Sequence, residues 1–190
     1  MVAAKDNLPR FTPEEYFAWE ESQLCRHEYI SGNVYAMSGG TINHSEIAAK
    51  INRLLGNHLE DSGCRVLNSD ARVNVLETND YTYPDISVTC DSRDRHATQY
   101  ISYPCLIVEV LSDSTEAYDR GKKFLMYRKN PILQEYVLVS STEIAIDIYR
   151  KTNDGRWEII HYQAGDEIEF QSLGLKIPID RVYRGITFGD

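Results

Sequence analysis

Hydrophobic and polar positions along this chain follow two different periods, and the switches between them mark out its elements. The first regular stretch opens at Thr12-Pro13-Glu14-Glu15. A hydroxyl cap, a proline at the first helical position and a glutamate three residues after the cap predict a helix carrying Tyr16, Phe17 and Trp19. His27 to Met37 reads as a hairpin turning at Ser31-Gly32-Asn33. Gly39-Gly40 breaks the chain before an apolar stripe at Ile47, Ile51, Leu54, Leu55 and Leu59, which predicts a helix from about Asn43 to Asp61. Strands are expected near Arg65–Leu67, Ala71–Leu76 and Asp85–Cys90. Asp91 to Tyr103 is polar and charged, a loop with room for a short helix.

The densest apolar run is Cys105-Leu106-Ile107-Val108-Glu109-Val110-Leu111, a strand covered on both faces and interrupted by one acid. Ser112 to Glu116 supplies capping residues for a helix reaching about Asn130 and stopped by Pro131, with Gly121 a point where it bends or starts late. Glu135–Val139 reads as another strand. Glu143–Arg150, Trp157–Tyr162 and Glu167–Phe170 read as antiparallel ribbons with a turn at Asp154-Gly155. No repeat, linker or low-complexity segment divides residues 1–190, so one α/β domain is expected.

The formal net charge of −9 argues against a broad cationic surface that grips nucleic acid by counterion release. It does not exclude a metal-assisted site, because a bound ion supplies local charge that composition does not show. Basic residues also cluster at Arg120, Lys122, Lys123, Arg128 and Lys129, either a local positive face or a solvated helix surface. The four cysteines, Cys25, Cys64, Cys90 and Cys105, contain no Cys-x-x-Cys pair. Neither a zinc site nor a disulfide framework is expected, with Cys90 and Cys105 read as small hydrophobes in strands. Met1 to Arg10 lacks an apolar signal region and no segment approaches a membrane span, so a cytoplasmic protein is expected.

An ionised carboxylate such as Glu109 is costly inside an apolar strand unless a cation or hydrogen-bond donors compensate it. One reading is a buried ion pair with Arg72 or a helix lysine. The other joins Glu109 to Asp85, which follows Pro84 at the head of a second apolar strand. Phosphodiester hydrolysis needs an activated water, stabilised charge on the phosphoryl group and help for the leaving oxygen. Asp85 and Glu109 offer hard oxygen ligands that suit Mg²⁺ or Mn²⁺, and the Val110 carbonyl is a further candidate ligand. Lys123 shares a helix face with Asp119 and Tyr127 by its four-residue spacing and would orient water or stabilise phosphoryl charge, whereas Lys122 points elsewhere. Lys122, Arg72 and His44 are candidate contacts to nucleic acid. For Arg72 the alternative is pairing with Glu109, and for His44 it is capping a helix. Ser112 and Ser114 are read as helix caps, since no Gly-x-Ser-x-Gly elbow surrounds them.

Pro84-Asp85, Glu109-Val110-Leu111-Ser112-Asp113-Ser114-Thr115, Asp119-Arg120-Gly121-x-Lys123, Tyr127 and Glu135-Tyr136 together resemble the signature of the Uma-type restriction-endonuclease-like family, within the PD-(D/E)XK nuclease superfamily. The resemblance covers roughly residues 10 to 165. It implies a restriction-endonuclease-like mixed β-sheet core flanked by helices, with additional antiparallel strands. It also implies a metal-dependent endodeoxyribonuclease using Mg²⁺ (or Mn²⁺), with DNA as partner and Asp85, Glu109 and Lys123 catalytic. Glu46, on the first core helix, would assist the metal; otherwise it is a first-turn glutamate favoured by the helix dipole. A homodimer is expected on mechanistic grounds, since cutting both strands of a duplex is most simply done by two copies. In the superfamily a lysine normally lies two residues after the glutamate, where this chain has Leu111, so the resemblance implies migration of that lysine to Lys123. After the helix, Val137-Leu138-Val139-Ser140 replaces the family's more usual Trp-x-Val-Asp. The displaced lysine and acidic balance favour an alternative, a non-catalytic nucleic-acid-binding or protein-interaction module that keeps the fold.

Overall fold

The computed structural model describes residues 10–37 and 39–189; the signal-free stretch expected at Met1–Arg10 falls almost wholly outside them. Helix α1 (Pro13–Glu20) starts as the capping pattern predicts. Thr12 Oγ1 accepts from the Glu15 amide at 3.2 Å, and Glu15 Oε2 accepts from the Thr12 amide at 2.7 Å. Strands β1 (His27–Ile30) and β2 (Asn33–Ala36) form the expected hairpin. Its turn residues Ser31 and Gly32 both have positive φ, 50° and 81°, the geometry that suits the right-handed twist of a two-residue hairpin turn. Helix α2 (Ile42–Leu59) buries Ile47, Ile51, Leu55 and Leu59, each contributing about 1.5–3 kcal/mol of burial.

The strands form two mixed sheets and a ribbon. The first sheet has the order β2-β1-β5-β4-β7, where β4 is Arg72–Val75, β5 is Asp80–Thr82 and β7 is Tyr100–Ile101. The second has the order β11-β10-β9-β8-β6-β3. It contains β3 (Arg65–Asn68), β6 (Ile86–Thr89), β8 (Leu106–Val110), β9 (Glu135–Val139), β10 (Ala145–Lys151) and β11 (Trp157–Gln163). Only β8 and β9 run parallel in this sheet. A ribbon of β12 (Glu167–Phe170) and β13 (Leu175–Pro178), then the short helix α5 (Asp180–Tyr183), complete the described chain. Strands β5 and β7 lie in stretches whose polar residues hid them, and β13 and α5 were also unforeseen.

Alternation along β8 sorts its side chains between two cores. Leu106, Val108 and Val110 pack with α2 and the ribbon, while Ile107 and Leu111 face an aromatic layer of Phe124, Tyr127, Tyr136 and Tyr149. By the same alternation Glu109 lies on the Ile107 side. Phe124 and Tyr127 of that layer belong to a segment made of α3 (Glu116–Tyr118), a π-helical turn (Asp119–Lys123) and α4 (Phe124–Tyr127), while Tyr136 and Tyr149 stand on β9 and β10. The bend expected at Gly121 is this π turn, and the Tyr136 hydroxyl donates to the Asp119 carbonyl within it at 3.0 Å.

One expectation is overturned. Cys64 and Cys90 are disulfide-bonded, with Cα atoms 4.2 Å apart. They stand one register step beyond the Arg65–Thr89 pair of β3 and β6, which places them directly opposite each other. The 26-residue separation in sequence concealed a cross-strand neighbourhood.

Candidate active site

Strand register brings the two acids together. Ile86 pairs with Val108 in the antiparallel β6–β8 ladder, and continuing that register by one step sets Asp85 opposite Glu109. Asp85 Oδ2 accepts a 2.7 Å hydrogen bond from the Val110 amide, which fixes its carboxylate against β8. Tyr83-Pro84-Asp85 is also the crossing from β5 in the first sheet to β6 in the second. Proline suits such a crossing because it needs no ladder partner for its nitrogen.

Lys123 reaches the same face from the π turn. Its Nζ lies 2.8 Å from Glu109 Oε1, 3.5 Å from Glu28 Oε1 and 3.8 Å from Asp119 Oδ1. Both Lys123 and Glu109 are buried, at 7% and 4% exposure. Lys123 is the cationic partner of Glu109 Oε1, an ion pair almost wholly out of water. Leu111, two residues after Glu109, is packed in the aromatic-layer core, and Lys123 supplies the only ammonium the described residues bring to this carboxylate cluster.

The electrostatics follow from an excess of carboxylates over cations. Burial raises the Glu109 carboxyl well above its ordinary range; Lys123 pulls it down, while Asp119 and Asp85 push it further up. Burial raises Asp119 too, against the pull of Lys123. Burial lowers the Lys123 ammonium, but Glu109, Glu28 and Asp119 outweigh this and hold it well above the usual lysine value. Lys123 is therefore held as a positive charge, and the Glu109 and Asp119 carboxyls beside it are raised above their ordinary range.

His44 closes the opposite wall. Thr41 Oγ1 caps α2 by accepting from the His44 amide at 3.2 Å, and His44 Nε2 lies 3.2 Å from Asp85 Oδ2. Burial lowers the imidazole, but the Asp85 carboxylate, the Val110 carbonyl and Asp119 together raise it above the usual histidine value. Gly40 makes room for this ring: a Cβ there would stand 2.7 Å from His44 Nδ1.

Asp85, Glu109, Val110, Lys123 and His44, all singled out from sequence, line one cavity of about 330 Å³. Glu46 does not line it; its carboxylate pairs with Lys50 at 2.7 Å. Arg72 is also elsewhere, donating to the Tyr83 hydroxyl and lying 5.2 Å from the Phe17 ring centroid and 5.7 Å from that of Tyr16. Lys122 is exposed on the neighbouring surface. Sequence reasoning missed Glu28 and, as a site residue, Asp119. The four-residue spacing from Asp119 to Lys123 carried a signal. Glu28 gave none beyond being a polar position in a hairpin.

The donor set suits a hard divalent cation in type: the carboxylates of Asp85 and Glu109 and the Val110 carbonyl, with negative charge in excess. Among the described residues, no group of three carboxylate, imidazole or thiolate side chains is arranged to hold an ion. Binding would therefore require His44 or Lys123 to release a carboxylate.

Comparison with known proteins now bears on this arrangement. Residues 13–180 match the family model Uma2, described as "Putative restriction endonuclease". The chain belongs to the Uma2 family. A relative in Synechocystis sp. (strain ATCC 27184 / PCC 6803 / Kazusa), described only as an uncharacterized protein, is 54% identical over 95% of both chains. A second from the same organism, also uncharacterized, is 32% identical over 91% of this chain and 98% of its own. A crystal structure from Anabaena variabilis ATCC 29413, described as a "putative nuclease belonging to DUF820", superposes with a TM-score of 0.74 at 18% identity. It covers 91% of this chain and 97% of its own. At that identity the likeness establishes the fold, a mixed α/β arrangement shared between the Uma2 chain described here and that protein. No helix among the described residues is long and apolar enough to cross a membrane.

Proposed function

We propose that the chain is a metal-dependent endodeoxyribonuclease of the PD-(D/E)XK kind, with its lysine carried by a helix. One observation supports this most: Asp85 and Glu109, adjacent on neighbouring strands, share a cavity with the buried ammonium of Lys123. Asp85, Glu109 and the Val110 carbonyl would hold Mg²⁺ or Mn²⁺. When bound, the ion supplies Lewis-acid polarisation of a phosphoryl oxygen and lowers the pKa of its water. Lys123, kept charged by its carboxylate neighbours, stabilises the negative charge that builds on the phosphoryl oxygens. The Val110 amide orients the Asp85 carboxylate, and His44 orients it from the other side.

The test is cleavage of plasmid and single-stranded DNA with Mg²⁺ or Mn²⁺, comparing the parent chain with Asp85→Asn, Glu109→Gln and Lys123→Ala. Metal-dependent cutting lost in all three supports the assignment. Cutting that survives Asp85→Asn places the activity elsewhere. A second reading, a fold retained for binding without catalysis, is favoured by the way Lys123 already approaches Glu109 and by the absence, among the described residues, of a ready-made three-ligand group. Calorimetric titration with Mn²⁺ separates the two readings, because the binding module takes up no ion at this site.

A further inference from the structure

The carboxylate cavity adjoins a larger trough. Glu28, Tyr35 and Tyr118 line both, and the trough, about 870 Å³, runs between the β1–β2 hairpin and the helical segment that carries Lys123. Its floor and walls are apolar and aromatic, with Ile30 and Tyr35 on the hairpin side and Tyr118, Leu125 and Met126 on the helix side. Leu125 is 53% exposed on this wall, so its side chain is open to a ligand in the trough. The rim carries three exposed cations, Lys122, Arg128 and Lys129. Among the described residues none has a carboxylate within ion-pair distance, although the chain as a whole is strongly acidic. Of the trough's two acids, Asp80 is occupied in accepting from the Ser31 amide at 2.7 Å, and Glu28 faces Lys123. With Glu28 paired to Lys123 and Asp80 the one acid left to set against three cations, the net charge of the trough is positive.

We propose that this trough is the track along which a single strand of DNA reaches the carboxylate centre. Its phosphates lie against Lys122, Arg128 and Lys129, and its bases against Tyr35, Tyr118 and Leu125. Charge complementarity commits the rim to a polyanion. Lys122 and Lys129 are separated along the segment by roughly 10 Å at helical rise, an extended row rather than a pocket for one anion. The apolar floor decides between strand states. A duplex presents phosphates outward and keeps its base faces stacked inside, so aromatic and aliphatic side chains gain nothing from it. A single strand exposes those faces, and stacking on them tolerates any base. The acidic remainder of the surface also opposes a duplex, with its higher charge density, more strongly than a single strand. A track for one strand removes the need for a second copy of the chain to complete a cut.

The function of the track rests on the nuclease reading, but its occupancy does not, so it is tested without catalysis. Fluorescence anisotropy in EDTA compares a labelled oligothymidylate with a duplex of equal length. The proteins are the parent chain, a Lys122→Ala/Arg128→Ala/Lys129→Ala variant and Tyr35→Ala, each first shown to melt cooperatively. The parent chain is expected to prefer the single strand. The triple variant should lower the slope of log affinity against log salt by about 2, from three phosphate contacts on a single strand. Tyr35→Ala should weaken single-strand binding roughly tenfold while leaving the salt slope unchanged. Duplex binding as tight as single-strand binding overturns the proposal, and so does an unchanged slope in the triple variant. Single-strand binding that follows these expectations in a chain that cuts nothing with metal supports the track and removes the nuclease reading.

Discussion

Replacing Lys123 with methionine tests the account of the buried cluster. The substitution keeps most of the side chain's length and removes the one charge that faces Glu109, Glu28 and Asp119 at 2.8, 3.5 and 3.8 Å. At an effective dielectric constant near 20 the three gross attractions are about 6, 5 and 4 kcal/mol. Desolvation of the ammonium cancels much of this, and removing one partner of a buried pair costs about 3–5 kcal/mol in practice. The pH dependence is more diagnostic than the size. Glu109 is already raised in the folded chain, so the folded state holds a proton that the unfolded state has released. Stability therefore falls as pH climbs from the ordinary carboxylate range through the raised value. Lys123→Met removes the charge that pulls Glu109 down and extends that fall to higher pH. Lys123 itself stays protonated throughout this range, so its own titration adds no slope. Urea unfolding followed by tryptophan fluorescence should show a deficit of about 3–5 kcal/mol near pH 8 that shrinks by about 1–2 kcal/mol toward pH 5. A deficit that does not change with pH, or one under about 1 kcal/mol, would refute the carboxylate-excess account.

Other consequences can be measured independently. Tyr136→Phe removes the donor to the Asp119 carbonyl in the π turn; unfolding free energy should drop by about 1–2 kcal/mol, and cleavage should show a lower kcat at unchanged KM. Glu135 is fully buried and accepts from Arg150 Nε at 2.9 Å and from the Ser172 amide at 2.9 Å. Glu135→Ala leaves that guanidinium without its carboxylate and should cost about 3–5 kcal/mol in urea unfolding. Reducing the Cys64–Cys90 bond opens a loop spanned by 26 residues. Chain-entropy arithmetic gives a loss of about 3.5 kcal/mol, readable as a lower Tm in reductant that a Cys64→Ser/Cys90→Ser variant reproduces without it.

Much of this site was legible because its signals are local. Pro84-Asp85 at a strand start, one acid in the apolar run around Glu109, and Lys123 four residues after Asp119 are patterns that survive without coordinates. The caps at Thr12 and the stripe from Ile47 to Leu59 were readable for the same reason: hydrogen bonding and burial there repeat within a few residues. What was hidden depends on long-range approach. Glu28 joins the cluster only because the two sheets pack together. Cys64 meets Cys90 only through the β3–β6 register. Arg72 was expected at phosphate or at Glu109, but the cage of Tyr16, Phe17 and Tyr83 that takes it up is assembled from α1 and the β5–β6 crossing. Strands β5 and β7, three and two residues long, are too short to establish a period.

The crossing at Tyr83-Pro84-Asp85 has a bearing on the order in which the candidate site is assembled. Glu28 is carried by the first sheet, Glu109 by the second and Lys123 by the helical segment packed on it. A nascent chain that has emerged only as far as β6 possesses Asp85 but neither of its main companions. The second sheet and its helical segment bring Asp85, Glu109 and Lys123 together, and Glu28 alone waits on the first sheet. Docking of the first sheet across the three-residue strap therefore adds Glu28 as a further carboxylate on Lys123, and with it the charge excess of the finished cluster.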